Sequence, residues 1–121
     1  MKHVALAVLA VLIALPVNAQ EPWEGIWAAA PEWCAYADQI GTHDPAPVLL
    51  TSTEVRGLET SCRVVNVQPD YEFSYYIVTS ECSGEGMTWA QVDVLMLGEV
   101  GVMWRWMGGG EPVRLTRCEG N

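Results

Sequence analysis

From residue 48 to residue 118 the chain alternates between short apolar runs and turn-forming residues, and this punctuation restricts its fold more than any other feature. Residues 48–52, 59–68, 73–81, 88–97, 102–107 and 112–118 are rich in Val, Leu, Thr, Tyr and Trp. Between them lie Pro69-Asp70, Ser83-Gly84-Glu85-Gly86, Gly98-Glu99-Val100-Gly101 and Gly108-Gly109-Gly110. Runs this short, joined by turns this tight, pair as antiparallel neighbours. Residues 25–28 supply a further short strand at the start. The expected fold is mainly β: a small antiparallel barrel or strongly curved sheet of roughly six to eight strands. One short N-terminal helix is expected over residues 31–40. Pro31 suits its first position, Glu32 its positive end and Gly41 its C-terminal cap. Trp33, Tyr36, Ala37 and Ile40 recur at helical spacing and give it an apolar stripe. Residues 42–47, with two prolines, read as loop.

The first nineteen residues read as a leader and not as part of that fold. Lys2 and His3 precede an apolar run over residues 4–15, Pro16 breaks it, and Val17-Asn18-Ala19 offers small residues for cleavage. This is the pattern of a secretory signal peptide. The alternative, an uncleaved anchor, is disfavoured because a membrane span needs ~20 apolar residues. No cysteine follows Ala19, so lipoprotein processing is not indicated. Residues 20–121 are then a single β-rich domain, exported to the periplasm or secreted.

Cys34, Cys62, Cys82 and Cys118 all fall in that domain. An even number of cysteines in an oxidising compartment points to two disulfides. A domain this small buries a modest share of its surface and gains from such staples. Zinc ligation is disfavoured: there is no C-x-x-C pair, and His43 is remote from every cysteine in sequence. Three pairings are possible. Cys62–Cys82 with Cys34–Cys118 is preferred, because residues 59–68 and 73–81 look like two arms of one hairpin turning at Pro69-Asp70.

Charge narrows the partners. Once Lys2 leaves with the leader, five arginines face fifteen acids, and no lysine remains. A domain this acidic is repelled by nucleic acid and by anionic lipid, and attracts a cationic protein. The plainer alternative is that the charge serves solubility. Nothing predicts stable membrane insertion or a cofactor.

The last three runs form a meander. If Leu97 faces Val102, then Leu95 faces Trp104 and Asp93 faces Trp106. Trp89, Gln91, Asp93, Trp104 and Trp106 then share one face, with Val92, Val94, Met96, Met103, Arg105 and Met107 on the other. The aliphatic and methionine face is the expected core. The tryptophan face is either covered by the helix, through Trp33 and Tyr36, or partly open as a small-ligand or glycan platform.

Reactive constellations are scarce. His43 and Asp44 sit in a proline-rich loop, and no serine lies in a G-x-S-x-G elbow or a triad spacing. Glu81 and Glu85 imitate a glycosidase pair, but so small a domain seldom supplies the cleft. Gly108 to Gly110 has no following lysine, so it is not a phosphate loop. The acids do not follow a calcium-loop spacing. The expectation is a protein that is not an enzyme.

Two short motifs carry resemblances. Gly25-Ile26-Trp27 on the first strand is similar to the G-x-W signature of calycins, the lipocalin-like barrels. That family stacks an arginine of the last strand on this tryptophan, a place that Arg114 or Arg117 would take. Ser83-Gly84-Glu85-Gly86-Met87-Thr88-Trp89 resembles the S-G-x-G-x-x-Y loop of C-type lysozyme inhibitors, with Trp in place of Tyr. Periplasmic protease inhibitors share the same small exported shape. The resemblance implies that Ser83 enters an enzyme cleft, with Glu85 and Trp89 beside it as partner contacts. That family's second motif carries a lysine, which the domain lacks. An ordinary β-turn is the alternative for this loop. The leading expectation is thus an exported, inhibitor-like binding protein facing a cationic enzyme. The others are a glycan or small-ligand binder, and a structural envelope protein with no discrete site.

Overall fold

The computed structural model describes residues 8–11 and 20–119. The expected leader, apart from residues 8–11, lies outside the described residues, as do the last two positions. The rest winds into a closed barrel of eight strands in sequence order. They are β1 (Gly25–Ala28), β2 (Val48–Leu50), β3 (Glu54–Gly57), β4 (Thr60–Asp70), β5 (Tyr75–Gly84), β6 (Met87–Leu97), β7 (Val102–Trp106) and β8 (Val113–Arg117). Each pairs antiparallel with the next, and β8 returns to β1. The strand β3 has no counterpart among the expected runs. Its sequence, Glu-Val-Arg-Gly, has one apolar residue and reads as loop until Val55 is seen opposite Cys62.

Period-two alternation fills the barrel. Along β5, Tyr76, Val78, Ser80 and Cys82 are buried and their neighbours are not. Trp27, Leu50, Val55, Leu95, Met103 and Leu115 complete the interior. Trp23, fully buried, plugs the upper end, where its ring lies 6.0 Å from that of Tyr76. The β3–β4 and β5–β6 turns mark the lower end.

The seam between β8 and β1 is short, with register partners Trp27↔Arg117 and Ala28↔Thr116. It is reinforced by Arg117, whose guanidinium lies 4.3 Å above the Trp27 ring. The same group donates to the Glu24 carbonyl at 2.7 Å and to the Pro22 carbonyl at 2.6 Å. Gly25 has φ +137°, and a Cβ there would sit 2.5 Å from Arg117 Nη1, so glycine is what lets the arginine pass. Of the two arginines expected over Trp27, Arg117 is therefore the one that stacks. Arg114 instead lies 3.9 Å from Glu99.

Both disulfides have the preferred pairing. Cys62 and Cys82 are register partners on β4 and β5, with Cα atoms 4.0 Å apart, and Cys34–Cys118 bridges 5.4 Å. Two disulfides indicate an oxidising, non-cytoplasmic location.

Three expectations need correction. The expected short helix is present as a 3-10 helix, Pro31–Gln39, but it is interrupted at Tyr36 and has no buried residue, so its apolar stripe does not pack as expected. Trp33 N–H donates to the Ala30 carbonyl, three residues back, and Tyr36 stacks on His43 at 3.8 Å instead of on the sheet. Pro69-Asp70 is not the turn; both belong to β4, and residues 71–74 make the turn. Pro69 is tolerated because β3 pairs only with the lower part of β4, leaving the proline on an unpaired edge.

The third correction is the β6–β7 register. Leu97 faces Met103, not Val102. Gly98 N–H donates to the Val102 carbonyl and Val102 N–H to the Glu99 carbonyl, closing a three-residue loop with Gly101 at φ +79°. The expected loop was one residue longer. That single step turns every β7 side chain to the other face. Trp104 and Trp106 point outward, 40% and 38% exposed, while Trp89, Gln91 and Asp93 point inward. The tryptophan face expected to bind a ligand is thus split across the barrel wall, and the 3-10 helix does not cover it. Of the expected core face, Met103 and Arg105 are buried, whereas Val92 and Met107 are about half exposed.

Candidate functional site

The lower rim is built from two adjacent hairpin tips. Gly57 and Thr60 close the β3–β4 turn, and Gly84 and Met87 close the β5–β6 turn. The tips touch backbone to backbone at Gly84, where a Cβ would lie 2.3 Å from the Glu59 carbonyl oxygen. Glu59 and Glu85 occupy the left-handed region, at φ +51° and +50°, where glycine or asparagine is usual. Both sit in two-residue hairpin turns, whose tight geometry requires a left-handed residue.

This arrangement brings two carboxyls together. Hydrogen bonding to Glu85, and then repulsion from its charge, raise the Glu59 carboxyl above the usual glutamate range. Asp44 adds to the effect from the neighbouring loop. The folded state therefore holds the Glu59 proton more tightly than the unfolded chain does. The resulting stabilisation is full below glutamate's ordinary pKa and is lost as pH rises through the folded value. Glu59→Gln is expected to flatten the pH dependence of the denaturation midpoint across that window. Urea titrations of both forms at mildly acidic and neutral pH would show it; parallel curves would mean that the carboxyls do not interact.

Ser83 and Glu85 are exposed, and Trp89 is half buried. The three are neighbours but do not share a face. Ser83 lies on the outer wall and lines a cleft of about 490 Å³ with Arg63, Glu81, Thr88 and Trp89. Glu85 and Trp89 line a second cleft of about 280 Å³ with Leu58, Glu59 and Met87. Arg63 and Glu81 form an ion pair across β4 and β5.

Inside the wall a polar row runs up β6. Trp89 Nε1 donates to Gln91 Oε1 at 3.3 Å, and Gln91 Nε2 donates to Asp93 Oδ2 at 2.9 Å. Arg105 Nε donates to Asp93 Oδ1 at 2.7 Å. Asp93 is fully buried and Arg105 nearly so. His43 is held in its loop, with Nδ1 2.8 Å from the Pro45 carbonyl and its ring against Tyr36. Among the described residues no group of three or more His, Cys, Asp or Glu side chains is placed to hold a metal ion. Nor is any helix there long and apolar enough to cross a membrane.

Glu59, Gly84 and Arg105 make contacts here that the sequence does not single out. Glu59 is hidden because the unexpected strand β3 makes residues 58–59 a turn, where the sequence reads residue 59 as the start of a strand. The Arg105–Asp93 pairing follows only from the corrected register. No family model, curated protein or solved structure matches this chain.

Proposed function

We propose that this is an exported, non-enzymatic binding protein of the periplasm or extracellular space, whose acidic lower rim meets a cationic enzyme in the manner of an inhibitor. The observation that carries this reading is the apposition of Glu59 and Glu85 on two hairpin tips that meet at Gly84. Two carboxylates that repel one another are relieved when an arginine or lysine of a partner comes between them. The excess of fifteen acids over five arginines favours the same class of partner at longer range. The loop similarity to C-type lysozyme inhibitors names the enzyme class to try first. Arg117 stacked on Trp27 agrees with a calycin-like ancestry.

Inhibition of cationic lysozymes is expected at low salt. It should weaken as ionic strength rises to ~0.15 M, where the screening length falls to about 8 Å. Glu85→Lys or Ser83→Lys should each weaken inhibition about tenfold or more by setting like charges against each other. A panel of lysozymes and exported proteases that shows no inhibition at low salt would sink the reading.

A further inference from the structure

The ladder between β6 and β7 stops short. β6 pairs with β5 from Met87 to Met96, but with β7 only from Val94 to Leu97. Bond alternation shows which backbone groups are left over. Leu97 N–H donates to the Ser74 carbonyl at 2.9 Å, so odd-numbered positions of β6 bond toward β5. Gly98 N–H donates to the Val102 carbonyl at 3.0 Å, so even-numbered positions bond toward β7. Below Val94 the even positions are Thr88, Ala90 and Val92. All three are exposed, Val92 by 48%. Among the described residues no hydrogen bond reaches their outward N–H and C=O groups.

An open strand edge is a template for another chain, and folded proteins blunt such edges with proline, charge or a bulge. The barrel's other free edge is blunted in this way. Where β4 outruns β3, it carries a bulge between Val64 and Asn66, and then Pro69. The lower edge of β6, Thr88-Trp89-Ala90-Gln91-Val92, carries neither proline nor charge.

We propose that this edge is a docking strand, which receives an extended lysine- or arginine-rich segment by strand addition. The proposal deepens the function proposed above and rests on its cationic partner. Charge selects the occupant. The edge runs up from Glu85, and Glu111 lies in the loop after β7 that flanks it. A second copy would bring another excess of acids over arginines against these acids, whereas a basic segment is drawn to them. Alternate side chains of the added strand would enter the mouth beside Trp89 and Gln91. The rest would cross the outer wall beside Val92 and Trp106.

The test is a synthetic peptide of alternating lysine and valine, with a copy N-methylated along one edge so that it cannot bond to a strand. By NMR, the Thr88, Ala90 and Val92 amides are expected to exchange rapidly in the free protein and to slow about tenfold when the peptide saturates. N-methylation should weaken binding about tenfold. Ala90→Pro should do the same, since the Ala90 N–H is not used toward β5. Failure of the peptide to bind, or amides already protected in the free protein, would overturn the proposal. So would protection that grows with protein concentration alone, which would make the occupant a second copy. If Glu85→Lys abolishes binding and N-methylation does not, the docking strand is wrong and the cationic-partner reading stands. If N-methylation matters but salt and Glu85→Lys do not, the cationic partner falls, and the proposal falls with it.

Discussion

Asp93→Ala is expected to cost the fold about 3–5 kcal/mol, because it strands the Arg105 guanidinium inside the barrel. It also removes the acceptor for Gln91 Nε2. A small domain has only about 5–15 kcal/mol to lose. At ~4–8 °C per kcal/mol, the melting temperature should fall by more than about 12 °C. Replacing both partners, as Asp93→Leu with Arg105→Met, should recover most of this loss, since no buried charge is then left alone. Breaking the exposed Arg63–Glu81 pair is the internal control, with an expected cost below ~1 kcal/mol. If calorimetry gave Asp93→Ala and the control the same small effect, Asp93 and Arg105 would not be buried together.

Loss of Cys34–Cys118 should be as damaging. The bridge spans 84 residues in sequence and Cys62–Cys82 spans 20. On chain entropy these lengths correspond to about 4.5 and about 3 kcal/mol. The consequences differ in kind as well. Cys62 and Cys82 sit within a long continuous ladder that keeps the hairpin paired without them. The 3-10 helix has no buried residue, so Cys34–Cys118 is its main fastening to the barrel. The double serine variant at 34 and 118 should show a lower denaturation midpoint and new proteolytic cleavage within residues 31–39. The variant at 62 and 82 should lose less stability and gain no such cleavage. Equal losses would contradict the loop-length argument.

Much of the barrel was legible because its signals are local. Glycine-bounded apolar runs gave β1 and the arms of the long hairpins, and the cysteine pairing followed from two arms being opposed. The β6–β7 register was not legible in the same way. Whether three or four residues make that turn depends on which glycine takes the left-handed conformation, and Gly98 and Gly101 are equal candidates in sequence. The choice fell on Gly101, and with it Trp104 and Trp106 went outside while Asp93 met Arg105. The helix formed where it was expected, but its packing differed: an apolar stripe predicts burial only if a neighbour is there to cover it, and here Tyr36 found His43. At the rim, Ser83 and Glu85 could be chosen from their loop. Glu59 could not, because no sequence rule brings a glutamate from another turn to their side.

The β1–β8 seam carries a last consequence. The two ends of the barrel are clasped three times at one place: by a brief ladder, by Arg117 across Trp27, and by a covalent bolt from Cys118. A join of only two register pairs is thereby reinforced by other means. Opening is left to the β6–β7 junction, two strands from the seam, where β6 already stands partly unaccompanied, and the molecule can loosen at its mouth without ever becoming a ribbon.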